Sequence, residues 1–573
     1  MNKAKDTNKI LKLIIVAGIS LAMWILSILY GGLGYETNDD ATINLIAAGA
    51  YGEGSQYLIY TSALIGYGLK ALYALFGGVN CYLWFYLVFD LLAVIAVSLI
   101  ISRDMGYLGT AAVTLLANAV LAHNLYIHLQ YSQNASAFGV VGFLILLDHL
   151  QRNGESKAQF FWATLFIALS YSARKENFFF LVPFGLAAIL FEVLPYALKK
   201  EKRKLMLSLL IPVAVVAVSI LADRYMYYRT PEWADYSRIN EIMTDKLDYG
   251  NYNFEWNKEE YLEAGFTEWD FRFMEETSYN DIDNFSREKL EKMEEIGSST
   301  RRDKIRFDAA TFGETFGDIK GAFNESPLPM CAVIVIVLAV VIAAMYKDIN
   351  GLMSITVQIL GVLGGSYYLQ CIRRTPWRVR YGLWLAAMLM VLGGVIVPKI
   401  PSLLNDMKKK LDGKAKAVCV VAMLASLIPV CLWAHKLDFS LQVFDEAGDY
   451  RYDLIKSMDQ ADALFVMSMD DMYGGLCGAR SVMDINKDYA GFYSHVLPVG
   501  GWVVPSPVAE YYANVNGISN VYKALADRDD VYYYGGGEHM GYMYVYLNEK
   551  YGPGIEVKEQ DFGDFMAWKF YRR

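Results

Sequence analysis

The chain has 573 residues, 55% of them hydrophobic, and a mean hydropathy of +0.24, a balance that excludes an ordinary soluble globular protein and makes lipid the solvent for most of its length. The formal charge is −9, yet residues 222–327 alone carry 25 acidic against 14 basic residues, a local balance of −11, so the acid is gathered in one polar insert. The cysteines at 81, 331, 371, 419, 431 and 477 lie mostly inside apolar runs without paired spacing, which argues against a disulfide framework or a zinc site.

In chain order, runs long enough to cross about 30 Å of hydrocarbon lie near 10–30, 82–102, 106–122, 135–150, 158–173, 177–197, 205–222, 328–346, 351–370, 381–398 and 417–434, about eleven in all. The first has Lys3, Lys5, Lys9 and Lys12 at its amino-terminal end; it is too long for a signal-peptide core and no small-residue cleavage site follows, so it reads as a retained helix. Two further basic clusters, Lys199 to Lys204 and Lys399 to Lys416, fall on the same side as the first only if the run 57–77 does not span. That run has Lys70 in its middle and several glycines, and is expected on the outer surface as one or two amphipathic or re-entrant helices. With the amino terminus cytoplasmic, the outer face then holds the loop 31–81, a short loop at 123–134, the acidic insert 222–327, a basic loop at 371–380 and the tail 435–573. The tail has domain size. Its runs ALFVMSM, DVYYYG and MAWKFYR read as strands and YMYVYLNEKYG as helix, which predicts a small soluble α/β domain after a membrane domain of residues 1–434.

The first outer loop reads YETNDDATINLIAAGAYG, so Glu36, Asn38, Asp39 and Asp40 follow directly on the first span. Ile43, Ile46, Ala47 and Ala50 recur at helical spacing, which makes Asn38 or Asp39 an N-cap and lays a helix along the bilayer. The acidic residues are then either caps or chemistry: a carboxylate here can take a proton from an attacking hydroxyl, or Asp39 and Asp40 can hold a divalent cation such as Mg or Mn against a phosphate. The second constellation, CIRRTPWRVRYG, crowds Arg373, Arg374, Arg378 and Arg380 onto the face where the orientation rule expects few cations. Guanidinium groups bind phosphate oxygens in a forked geometry; the plainer reading is contact with anionic headgroups or with the acidic insert. A third cluster, Arg174, Lys175 and Glu176, lies between two spans and is either a loop cap or the edge of a polar cavity. The outer loop HNLYIHLQYSQNAS offers His123, His128, Gln130, Tyr131 and Gln133 as contacts for sugar hydroxyls; its two histidines, five residues apart and off a common helix face, do not read as metal ligands. The aromatic-rich insert, including WADYSRINEIMTDKLDYGNY, is expected mainly to pack, the alternative being that it supplies stacking platforms for sugars. Asp470 and Asp471 at a strand end read as a turn, as does GGGEHM at 535–540, which lacks a phosphate-loop lysine.

This pattern resembles the GT-C class of integral membrane glycosyltransferases. The points of likeness are a first helix running inside to outside, an acidic motif of Asn38, Asp39 and Asp40 in the first outer loop, interfacial helices before the second span, and a soluble domain after the last. The resemblance implies an all-α polytopic membrane protein of GT-C type in a bacterial plasma membrane. It implies a polyprenyl-phosphate sugar as donor, a glycan, lipid or protein as acceptor, contact with membrane lipids, and no nucleic-acid partner. By the same resemblance the base or metal ligand falls on Asp39 or Asp40 and the donor phosphate on the 373–380 arginines; the long acidic insert departs from the protein mannosyltransferases and leaves the acceptor open. Two rivals remain from other classes: a lipid or polysaccharide transporter, which needs charges midway along several spans, and a non-catalytic cell-envelope assembly protein.

Overall fold

The apolar runs fold as helices. In a computed structural model, residues 2–573 are described except 31, 153, 155, 196–201, 251, 276–278, 280, 300–306, 411–441, 474–490 and 492. The helical domain runs α1 (Asn2–Tyr30), β1 (Gly34–Tyr35), α2 (Asn38–Ala48), α3 (Ala63–Leu75), α4 (Cys81–Ile101), α5 (Tyr107–Ala122), β2 (His128–Leu129), α6 (Tyr131–Gln151), α7 (Lys157–Ala173), α8 (Lys175–Glu192) and α9 (Lys202–Tyr228). The acidic insert folds as α10 (Pro231–Leu247), α11 (Lys258–Glu263), α12 (Glu268–Glu275), α13 (Arg287–Ser299) and α14 (Ala309–Glu325), after which α15 (Leu328–Met345), α16 (Ile349–Cys371), α17 (Trp377–Val391) and α18 (Ile400–Lys410) complete the bundle.

Seven described helices are long and apolar enough to cross a membrane, against the eleven expected. Three of the other four runs are helices too: α5, 16 residues continued by the π-helical His123–Ile127, α7 with 17 residues, and α8 with 18, its charges Lys175, Glu176 and Glu192 at the two ends; 417–434 lies outside the described residues, as do Cys419, Cys431 and Cys477. The run 57–77 contributes the single short helix α3 and does not span. α6 is the centre of the bundle, buried along almost its whole length. Its Gly142 lets α7 approach so closely that an added Cβ would lie 2.9 Å from the Ile167 nitrogen and 3.1 Å from the Ala163 carbonyl oxygen, the small-residue contact typical of helices packed in lipid. At one end of the bundle Lys12 donates to the Arg103 carbonyl at 2.7 Å, Arg103 pairs with Asp148, and Lys399 pairs with Asp348 at 2.6 Å; the acidic loop, the insert and the tail all gather at the other.

The tail is the α/β domain expected. After α19 (Gln442–Asp459) come β3 (Leu464–Ser468), α20 (Met469–Tyr473), β4 (Val496–Val499), α21 (Pro507–Val515), α22 (Val521–Asp527), β5 (Val531–Tyr534), α23 (Gly537–Lys550), β6 (Ile555–Asp561) and β7 (Met566–Arg572). Its sheet has the order β4-β3-β5-β7-β6, with β3 parallel to both β4 and β5, and β7 antiparallel to both β5 and β6. GGGEHM is a turn only as far as Gly536, because α23 begins at Gly537. Asp470 and Asp471, expected in a turn, fall in the short helix α20, where Asp471 accepts from Ser468 at 3.0 Å and pairs with Arg451. The domain docks on the insert through Asp281, whose carboxylate accepts from Asn520 at 2.8 Å, Tyr546 at 2.5 Å and Tyr551 at 2.7 Å.

Candidate active site

A parallel bridge of two residues a side places the acidic motif. Gly34 and Tyr35 pair with His128 and Leu129, and the Glu36 amide donates to the Leu129 carbonyl at 3.0 Å, so the first loop is tied to the amino terminus of α6. α2 then starts from Thr37, not from Asn38 or Asp39, and it does not lie along a bilayer surface. Asp40 through Ala47 are all buried, because the helix is enclosed between the bundle and the tail domain, where Tyr51 stacks on Tyr493 and the Tyr493 amide donates to the Ala50 carbonyl at 3.1 Å.

The two adjacent aspartates have separate fates. Asp40 is fully buried, and its carboxylate accepts from the Tyr82 hydroxyl at 2.7 Å, the Tyr131 amide at 2.9 Å and the Thr37 hydroxyl at 3.3 Å. It braces α2 against α4 and α6 and is not among the residues that line the cavity beside it, where the sequence offers it equally with Asp39 as a base. Asp39, one residue earlier, lines a cavity of about 1370 Å³ together with Asn38, Arg174, Lys175, Glu176, Arg374 and Arg378. Burial raises the Asp39 pKa above the ordinary carboxylate range, against the opposing pull of Arg378, then Arg174 and Arg374. Three segments far apart in sequence are thus brought to one carboxylate.

Arg174 caps the junction of α7 and α8. Its guanidinium lies 5.0 Å over the Tyr131 ring, donates to the Tyr131 hydroxyl and stands 3.7 Å from Glu176. Asn177 fastens the start of α8 to the other walls, with its Nδ2 donating to the Ser132 carbonyl at 3.0 Å, to Ser136 Oγ at 2.9 Å and to the Arg378 carbonyl at 3.5 Å. Arg374 pairs with Asp248 of the insert.

The remaining expected contacts fall elsewhere. Arg373 makes the reversal between α16 and α17 in the left-handed region, at φ 57°, and does not line the cavity. Arg380 is 6% exposed and paired with Asp318 at 3.0 Å and Glu325 at 2.9 Å, so its charge is consumed inside the protein. His128 belongs to β2, pairs with Gly34 through the backbone and is outside the cavity wall. Of the two aspartates offered as metal ligands, Asp40 has its oxygens taken up by hydrogen bonds and only Asp39 faces the cavity. Among the described residues no group of three or more His, Cys, Asp or Glu is arranged to hold a metal ion.

Several cavity residues were not named individually from the sequence, although the first group lies in the stretch offered as a sugar platform. α10 contributes Tyr236, Ser237, Asn240, Glu241 and Thr244, a stripe at helical spacing inside WADYSRINEIMTDKLDYG, so this part of the insert does more than pack. Ser468 and Met469, at the end of β3, and Trp502, beyond β4, close the cavity from the tail domain; no local signal marks them. Asp90, midway along α4, is fully buried with neither carboxylate oxygen hydrogen-bonded among the described residues, an exception to the gathering of charge at helix ends.

Glu36 lies beside this site and gives a pH prediction. Burial pushes its pKa up to about 7, opposed by Arg378, and Gln133 donates to it. A carboxyl raised in the folded state costs stability once it ionises, so the penalty is absent below its unfolded value near 4.5, grows between there and about 7, and is complete above. Glu36→Gln is therefore expected to leave the melting temperature unchanged at pH 4.5 and to raise it slightly at pH 8, the solvent exposure of the side chain screening much of the penalty; thermal unfolding in detergent at the two pH values checks it.

Fold and cavity together define a polytopic helical membrane protein whose soluble domain closes over a charged cavity at one end of the bundle. No sequence-family model matches the chain, and no curated protein matches it in sequence. Two solved structures run along it: ArnT from Cupriavidus metallidurans bound to undecaprenyl phosphate, at TM-score 0.39 and 13% identity over 97% of each chain, and the same protein in the apo state, at TM-score 0.38 and 12% identity over 97% of each chain.

Proposed function

We propose that the cavity is the active site of a GT-C-type glycosyltransferase that moves a sugar from a polyprenyl-phosphate donor to an acceptor hydroxyl at the extracytoplasmic face, with inversion. The observation that carries this reading is the convergence of Asp39 with Arg174, Arg374 and Arg378 on one cavity. In the reaction, the Asp39 carboxylate takes the proton of the acceptor hydroxyl as its oxygen forms the new bond to the anomeric carbon. The bond from that carbon to the phosphate oxygen breaks, and the electron pair leaves with the polyprenyl phosphate, whose charge the guanidinium groups stabilise. Phosphate needs no acid to depart, so positioning and charge stabilisation supply most of the acceleration. The raised pKa of Asp39 makes it a stronger base than an exposed aspartate, while Arg378, Arg174 and Arg374 favour its ionised form.

A transporter reading would place the working charges along the spans, whereas the convergent set here sits beyond their ends, Asp90 apart. Incubating the purified protein with a panel of polyprenyl-phosphate sugars and an acceptor mixture tests the enzyme reading. At least one donor should lose its sugar and release polyprenyl phosphate; retention of every donor intact, or its transfer across vesicle membranes unchanged, would favour transport.

A further inference from the structure

The wall that α10 lends to the cavity carries information about the acceptor. Tyr236, Ser237, Asn240, Glu241, Thr244 and Asp248 all line it, positions on one helical face, and at 1.5 Å per residue they form a track about 18 Å long. Its two ends are fixed by contacts. Asp248 is ion-paired with Arg374, whose guanidinium also lies 5.9 Å from the Tyr249 ring, so the track ends at the phosphate-binding side. At the other end the Tyr236 hydroxyl donates to the Trp502 carbonyl at 3.0 Å, and the Tyr279 hydroxyl of the insert donates to the Gly501 carbonyl at 2.8 Å, which holds the Trp502 loop of the tail domain over the mouth.

The residues that α10 lends to the wall are hydroxyl, amide, carboxylate and aromatic groups, whereas the aliphatic lining, Ile59, Ile220, Leu369, Ile372, Val379 and Val503, comes from other elements, so the track itself suits a ligand rich in hydroxyls rather than a lipid chain. Two hydrogen-bond acceptors on the cavity wall have no partner among the described residues. Asn240 Oδ1 is buried on the track. Asn177 is 2% exposed; its Nδ2 is committed to Ser132 and Ser136, which orients the amide and leaves Oδ1 unmatched. Buried acceptors are rarely left without a donor, and a ligand hydroxyl or amine supplies one. Glu241, Asp245 and Asp248 line the same wall; Glu241 is paired with Arg238 at 3.2 Å and Asp248 with Arg374, and the helix adds no cation of its own to the wall, so the track offers an anionic ligand nothing to pair with.

We infer that the acceptor is an extended glycan without net negative charge, laid along α10 from Trp502 toward Asp39. The inference rests on the reading of the cavity as a glycosyl-transfer site. The test uses the full chain in lipid nanodiscs, at low salt, with cellotetraose as a neutral probe, a fully deacetylated chitosan tetramer as a cationic one and tetragalacturonate as an anionic one, each titrated calorimetrically beside undecaprenyl phosphate. The neutral and cationic tetramers should bind at least tenfold more tightly than the anionic one. Asn240→Ala should weaken cellotetraose at least fivefold, and Ser237→Trp, which fills the track, should abolish its binding, with undecaprenyl phosphate affinity within twofold of wild type in both variants. Equal or tighter binding of tetragalacturonate, no binding of any tetramer, or cellotetraose binding indifferent to both substitutions overturns the inference. Failure of wild type to bind undecaprenyl phosphate would instead strike the reading on which it rests.

Discussion

Asp39→Asn is expected to lower the rate of sugar transfer by about 10²–10⁴-fold, the usual contribution of a positioned general base, while donor affinity and membrane insertion stay near wild type. The asparagine keeps the shape of the side chain and loses only its capacity to accept the hydroxyl proton, so the deficit should lie in kcat and not in KM. The pH profile follows from the same residue. The base works only when ionised, and burial raises its pKa, so the acid limb of kcat/KM in the wild type should lie above the ordinary carboxylate range and disappear from the residual activity of the variant. Asp40→Asn should behave differently. It places an amide where three donors point at a carboxylate, which leaves a buried group mismatched at a cost of about 1–3 kcal/mol. Its mark is reduced thermal stability and yield, with transfer per folded molecule much less affected. Transfer assays normalised to folded protein separate the two; equal loss in both variants would remove the distinction between a catalytic and a bracing aspartate.

The second large effect concerns the arginines. Arg378→Ala should weaken donor binding by about 10–150-fold, the equivalent of a charge-assisted hydrogen-bonded contact of about 1.5–3 kcal/mol, and should leave acceptor affinity unchanged. Arg374→Ala should do the same and also loosen the insert, because its guanidinium holds Asp248. Arg380→Ala serves as the contrast. It strands Asp318 and Glu325 and should cost about 3 kcal/mol of stability, the low end for a broken buried pair because Glu325 is partly exposed, with donor affinity per folded molecule retained. Equilibrium binding of a fluorescent polyprenyl phosphate to the three variants distinguishes a ligand contact from an internal brace.

What the sequence disclosed and what it withheld differ by the range of the interactions involved. Hydropathy marks helices because each apolar run answers to lipid locally, and the strands of the tail were readable in ALFVMSM, DVYYYG and MAWKFYR from β-branched and aromatic content. The charged clusters at 38–40, 174–176 and 373–380 were legible because charge near hydrocarbon is costly and demands a reason. Which member of each cluster faces the cavity was not. Asp39 and Asp40 differ only by a rotation of about 100° around α2, and the donors that claim Asp40 arrive from Tyr82 and Tyr131, 42 and 91 residues away. Arg380 likewise looks no different from Arg378 until α14 delivers Asp318 and Glu325 to it. The sequence placed α2 on a surface and missed its enclosure, because the tail domain reaches it through a contact between residues 50 and 493, beyond the reach of local amphipathicity. Strand β4 and the Trp502 loop carry no pattern of their own; their places follow from a sheet assembled from distant segments.

The most direct measurement is the location of bound lipid phosphate. A polyprenyl phosphate bearing a photoreactive group next to the phosphate, irradiated on the protein in native-like membrane and mapped by mass spectrometry, should label the segments 174–180 and 368–379, and excess undecaprenyl phosphate should suppress that labelling. Labelling confined to the opposite end of the bundle, around Arg103 and Lys399, or labelling that the competitor leaves unchanged, would contradict a cavity built from Asp39 and the three arginines to receive the donor.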